Sequence, residues 1–130
     1  MNESKIMPHD HGSGIHVALH LLPEQEEFNT TAEAFKQLSD ATRLKIFWLL
    51  CHSEECVSNI SVAVDMSAPA VSHHLRFLKQ AGLISSRREG KEVYYTLAAT
   101  ERSEIVHRIV DEMFRIHCPG KEGHHHDHAE

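Results

Sequence analysis

The sequence predicts a mainly α-helical domain that carries one β-hairpin, and three observations predict it. Apolar residues recur at helical spacing through Val71, Leu75, Leu78 and Ala81 and stop at Gly82. The period then changes to two through Leu83-Ile84-Ser85-Ser86-Arg87-Arg88 and Glu92-Val93-Tyr94-Tyr95-Thr96-Leu97. Between these runs stands Glu89-Gly90-Lys91, a turn of the composition a hairpin uses.

The remaining elements follow in order. Thr30-x-x-Glu33 has the form of a capping box and announces a helix with Ala34, Phe35 and Leu38 on its inner face. Asp40 is placed to cap the next helix, and Leu44, Ile46, Phe47, Trp48, Leu49 and Leu50 make that helix largely buried. A polar break at residues 52–55 precedes a short helix carrying Val57, Ile60, Val62 and Val64. Ser67 is the expected cap of the helix before the hairpin, with Pro69 in its first turn, where a missing N–H costs nothing. A last helix is expected from about Glu101 to Ile116, with Ile105, Ile109, Met113 and Ile116 as one apolar stripe and Pro119-Gly120 as its end. The expected order is therefore α-α-α-α-β-β-α, without an internal repeat.

Composition narrows the class. At 130 residues the chain is sized for one domain with a modest core. It lacks an apolar run of membrane-spanning length, and Met1–Lys5 does not begin a secretory signal, so no membrane partner and a cytoplasmic location are expected. Three unevenly spaced cysteines, Cys51, Cys56 and Cys118, argue for a reducing compartment rather than a disulfide framework. No Gly-rich phosphate loop, nucleophile elbow or H-E-x-x-H motif is found, so an enzyme is not expected.

Charge and histidine are unevenly spread. The chain carries −6, yet residues 66–98 hold Arg76, Lys79, Arg87, Arg88 and Lys91 against Glu89 and Glu92. That island is +3, which leaves −9 for the rest. A basic island of this kind is what phosphate contact requires. Of the 13 histidines, nine gather at the ends: His9, His11, His16 and His20, then His117, His124, His125, His126 and His128. The interrupted tract, which runs into acidic residues, reads as native and metal-seeking. Residues 1–22 are expected to be a His-rich N-terminal arm, mobile or loosely docked, and residues 118–130 a His-rich tail.

The two short helices joined by Asp65-Met66-Ser67 have the form of a helix-turn-helix, whose second helix enters the major groove of double-stranded DNA by its N-terminal residues. Here those residues are Ser67, Ala68, Pro69, Ala70, Ser72, His73, His74 and Arg76. Ser, His and Arg donate to base-edge acceptors, and Ala contacts a thymine methyl. Arg87, Arg88 and Lys91 of the hairpin would lie on phosphates or in a minor groove, which makes the unit a winged helix-turn-helix.

At this point the sequence resembles the ArsR/SmtB family of metal-sensing repressors. The resemblance rests on Phe35-Lys36-Gln37-Leu38-Ser39-Asp40-Ala41-Thr42-Arg43-Leu44, on Met66-Ser67-Ala68-Pro69-Ala70-Val71-Ser72-His73-His74-Leu75 with Ala81-Gly82-Leu83, and on Arg88-Glu89-Gly90-Lys91-Glu92-Val93-Tyr94-Tyr95. It spans residues 30–117. It implies a homodimer that binds a palindromic operator without inducer and releases it when inducer binds, with the first and last helices at the dimer interface. Residues 23–117 then form the DNA-binding and dimerisation domain.

The resemblance also implies two positions for a metal. One is the start of the third helix, where relatives carry a Cys-Val-Cys motif for soft ions. Here the stretch reads Glu55-Cys56-Val57-Ser58-Asn59, with one of the two thiols, which His9, His11 or His16 would have to complete. The other is the last helix, where antiparallel partners share ligands across the dimer. This chain offers Glu104, His107 and Asp111 at i, i+3 and i+7, followed by His117 and Cys118. The interval from His107 to Cys118 matches the family's usual His-to-His separation. The interval from Glu104 to His117 matches a nickel- and cobalt-sensing branch that also recruits tail histidines. The expected ligands are therefore Glu104, His107, His117 and Cys118. Imidazole and carboxylate suit Zn(II), Ni(II) or Co(II), whereas a thiophilic ion would want more than one cysteine. The alternative is a thiol-redox or persulfide-sensing repressor of the same fold, which needs two cysteines within bonding reach.

Overall fold

The structure, a computed structural model, describes residues 5–117, with side chains through Arg115. The elements run α1 (Gly14–Leu21), α2 (Gln25–Gln37), α3 (Ala41–Cys51), β1 (Glu55–Cys56), α4 (Val57–Val64), α5 (Ala68–Gln80), β2 (Ile84–Glu89), β3 (Glu92–Leu97) and α6 (Glu101–His117). The predicted order is present with two additions, helix α1 within the N-terminal arm and the two-residue strand β1. The chain divides into two compact units, residues 1–32 and residues 33–130. Among the described residues no helix is long and apolar enough to cross a membrane.

Local chemistry sets most boundaries. The Asp40 carboxylate accepts from Arg43 N–H at 2.9 Å and caps α3; the Ser67 hydroxyl accepts from Ala70 N–H at 3.3 Å and caps α5. Helix α5 ends in a Schellman turn: Leu83 N–H reaches the Leu78 carbonyl and Gly82 N–H the Lys79 carbonyl, both at 3.0 Å, with Gly82 at φ +76°. Helix α4 ends in the same way, with Met66 N–H on the Ser61 carbonyl, but there Asp65 takes the left-handed position at φ 59°. Thr100 and Ser103 cap α6 reciprocally: Ser103 N–H donates to Thr100 Oγ1 at 3.2 Å and Thr100 N–H to Ser103 Oγ at 3.4 Å.

One boundary corrects the sequence reading. Helix α2 begins at Gln25, so Thr30 is an interior residue whose hydroxyl donates to the Glu26 carbonyl at 3.0 Å, not a cap. Glu26 and Glu27 in the first turn, where the helix dipole favours carboxylates, extend the helix back towards Pro23.

The hairpin and β1 form an antiparallel sheet in the order β1-β3-β2. Glu89 faces Glu92 across a two-residue turn in which Gly90 has φ +65°. Cys56 pairs with Tyr94 and Glu55 with Tyr95, so the expected polar break in fact continues into a third strand. The core joins Ile46, Phe47 and Leu50 of α3, Ile60 and Val64 of α4, and Val71, Leu75 and Leu78 of α5. Leu83 and Ile84 at the hairpin root, with Val106 and Val110 of α6, complete it. Each such fully buried side chain contributes roughly 1.5–3 kcal/mol.

Helix α6 shows which way its apolar stripe points. The side it buries carries Ser103, Val106 and Val110, while Ile105, Ile109, Met113 and Phe114 are exposed, Met113 by 62%. The apolar stripe legible in the sequence thus faces away from the core, and Ile116 lies beyond the described side chains.

Candidate nucleic-acid interface and metal centre

The expected DNA-reading residues separate into two groups. Ser67, Ala68, Pro69, Ser72, His73 and Arg76 are exposed along the N-terminal half of α5, and Ala70 is half-buried. His74 corrects the expectation. It is buried, and its Nδ1 accepts from Arg43 Nε at 3.1 Å. The reason is the helix period: His74 is three residues after Val71 and four before Leu78, both buried, so it shares their inner face. Arg43 also donates from Nη1 to Gln37 Oε1, and Gln37 Nε2 donates to Glu33 Oε2 at 2.6 Å, so a polar chain runs from α2 to α5. Beside it, the Arg43 guanidinium lies 4.6 Å from the centre of the Phe77 ring.

On the wing, Arg88 and Lys91 are exposed. Arg87 is exposed but already engaged. It donates from Nε to Glu54 Oε2 at 2.8 Å, from Nη2 to Glu54 Oε1 at 3.0 Å and from Nη1 to Glu89 Oε1 at 2.6 Å, and it stacks 4.9 Å from the Tyr94 ring centre. The bidentate pair holds the Glu54 carboxyl below the usual carboxylate range. The basic island is thereby partly neutralised at its base and cationic at its tip.

The C-terminal helix presents different chemistry. His107 Nε2 lies 2.9 Å from Asp111 Oδ2, one turn further along α6, and His52 Nε2 lies 3.9 Å from Asp111 Oδ1. One ligand atom from each of His52, His107 and Asp111 falls within 4.8 Å of the other two. The rings of His52 and His107 meet edge to face at 4.9 Å. Trp48 donates from its indole Nε1 to Asp111 Oδ1 at 3.2 Å and packs its ring 4.5 Å from that of His52. All three side chains are less than a fifth exposed. Although close to the carboxylate, buried His107 Nε2 makes no hydrogen bond. The chemistry of this donor set fits a borderline divalent ion: two imidazoles, one carboxylate and an indole that fixes the carboxylate from behind.

Of the ligands expected from sequence, only His107 is in this group. Glu104 is exposed on the preceding turn, the His117 side chain lies past the described side chains, and Cys118 and the tail histidines lie outside the described residues. Asp111, expected on the same face as Glu104 and His107, does join His107. His52 was missed, because its partner lies 55 positions along the chain and nothing local marks a residue closing a helix as a ligand. Its backbone N–H bonds the Leu49 carbonyl at 3.2 Å, which seats the ring over Trp48. Burial pushes the thiol of neighbouring Cys51 far up, helped by the nearby carboxylates of Asp111 and Glu104.

Residues 40–86 match the family described as bacterial regulatory protein, arsR family. A cadmium resistance transcriptional regulatory protein CadC homolog from Staphylococcus aureus is 42% identical over 84 residues, 64% of this chain. This chain spans just under two thirds of that relative's length, 66%. The transcriptional repressor SdpR of Bacillus subtilis is 44% identical over 77 residues, 59% of this chain and 86% of SdpR. Among solved structures, the homodimeric winged helix-turn-helix DNA-binding domain of a possible ArsR-family transcriptional regulator from Mycobacterium bovis superposes with TM-score 0.62 at 26% identity. That likeness covers 87% of this chain and 94% of the other.

Proposed function

On the premise that this chain belongs to the ArsR family of bacterial regulatory proteins, we propose that it is a metal-responsive transcriptional repressor. It binds double-stranded operator DNA as a cytoplasmic homodimer when metal-free and releases it on taking up Zn(II), Ni(II) or Co(II). The observation that carries the DNA half is the exposed N-terminal half of α5 followed at once by the exposed cations Arg88 and Lys91 of the wing. Ser67, Ala68, Pro69, Ala70, Ser72, His73 and Arg76 read the major groove, and Arg88 and Lys91 hold phosphate.

The outward apolar face of α6, with Ile105, Ile109 and Met113 one turn apart, supports dimerisation through that helix. The metal half is supported by the imidazole and carboxylate groups on α6 and by the likeness to a cadmium-resistance regulator. His107 is the anchoring ligand, common to the set that spacing suggests, with Glu104, His117 and Cys118, and to the group it forms with His52 and Asp111. With bound metal, α6 would be stiffened against its neighbours, and the dimer shape that fits two successive major grooves would be disfavoured. Coupling of about 1–3 kcal/mol is typical of such linkage.

The thiol-sensing alternative draws less support, because Cys56 is buried and the Cys51 thiol is held protonated by burial. A duplex selected from a random pool by the metal-free protein tests the proposal. It predicts an inverted repeat, with binding lost in Arg76→Ala; an enriched pool without dyad symmetry would count against it.

A further inference from the structure

We propose that the inducing metal is held within one chain, by His52, His107 and Asp111, so that it clamps the end of α3 to α6; this rests on the metal-responsive reading above. Four observations carry it. The three ligand atoms already lie within 4.8 Å of one another, a spacing that small side-chain rotations turn into coordination. They come from two elements that the hydrophobic core holds in register, Ile46, Phe47 and Leu50 on α3 against Val106 and Val110 on α6. The carboxylate has an outer partner, since the Trp48 indole N–H fixes Asp111 Oδ1 and leaves Oδ2 directed at His107. Finally, His107 Nε2 is buried beside that oxygen without a hydrogen bond, which a metal at this point would resolve.

Two imidazoles and a carboxylate leave coordination positions open. Water fills them. Borderline ions suit this set of two imidazoles and a carboxylate. The clamp also explains how metal would reach DNA. Helix α3 packs on α5, the reading helix, and on β3 of the wing, while the opposite side of α6 is the apolar face left for a second copy. Tying α3 to α6 joins the DNA-reading half of the fold to the dimerising half.

Trp48 is the single tryptophan of the chain, which makes the site self-reporting. Co(II) titrated into the full-length metal-free protein should quench Trp48 fluorescence saturably at one equivalent per chain, with the visible absorption of nitrogen and oxygen ligation. His52→Ala and Asp111→Asn, each with an unchanged far-UV circular dichroism spectrum, should both weaken that quench at least 10-fold. Asp111→Asn keeps the side chain's shape, so loss in that variant alone still supports the site if His52→Ala fails to fold. Quenching by Co(II) that is as tight in both variants as in the native protein overturns the proposal. Operator release separates the two readings. Release that proceeds as well in both variants as in the native protein removes this site and leaves metal response standing. Co(II) binding that depends on His52 and Asp111 but never releases operator upholds the site and removes metal response.

Discussion

Arg43 donates from Nε to Nδ1 of buried His74 at 3.1 Å, which fixes His74 with Nδ1 as an acceptor and links the first turn of α3 to α5. Burial lowers the His74 pKa below its ordinary 6.5, and the charges of Arg43 and His73 lower it further while Asp40 opposes them. A depressed histidine pKa means the unfolded chain takes up the proton first. Stability from this group is therefore complete above about pH 6.5 and is lost as pH falls through the lower, folded value. Thermal unfolding between pH 8 and pH 5 should show a steeper loss of Tm in the native protein than in His74→Gln, whose amide can still accept from Arg43. Parallel curves would contradict this role.

The two helix stops that flank α5 should respond differently to substitution. Gly82 has φ +76° with open space where a Cβ would stand, so Gly82→Ala meets only backbone strain and should lose about 1 kcal/mol. Asp65 already bears a side chain at φ 59°, so Asp65→Gly should be neutral or slightly stabilising. Chemical denaturation of the two variants measures both.

On the wing, Arg88 and Lys91 are exposed near the hairpin turn, whereas Arg87 is tied to Glu54 and Glu89. Arg88→Ala and Lys91→Ala should each weaken DNA binding across all sequences and reduce the salt slope by about 0.9. Glu54→Ala releases Arg87 and should instead steepen the slope. Fluorescence anisotropy over a salt series distinguishes the three, and a Glu54→Ala slope below the native one would refute the assignment of Arg87.

The thiols give a further check. With Cys51 held protonated and Cys56 buried, alkylation by iodoacetamide at pH 7.5 should be slow at both in the folded protein. Peroxide or polysulfide should leave operator binding unchanged. Loss of binding with a new Cys51 adduct in the mass spectrum would instead favour the thiol-sensing alternative.

What the sequence could and could not disclose follows from the range of the forces involved. Asp40, Ser67 and Gly82 act on backbone groups within a few positions, so their caps and stops were legible as local spelling. The change of period at Leu83 announced the hairpin for the same reason. Strand β1 could not be read, since two residues carry no period and their partner Tyr94 is 38 positions away. The α6 stripe was visible, but its spelling does not say whether Ile105 and Ile109 face the core or a second copy. Val106 and Val110 fill the inner face instead. The metal group was half legible. His107 and Asp111 share a helix at i, i+4, whereas His52 joins them only when α3 and α6 pack.

The central claim, that metal controls DNA binding, is tested most directly by anisotropy of the selected operator duplex with increasing Zn(II), Ni(II) or Co(II). The account predicts that at least one of these ions weakens operator affinity by about 5–150-fold, the range of ordinary allosteric coupling, and that chelator restores it. Operator affinity unchanged by all three ions at saturation would contradict it.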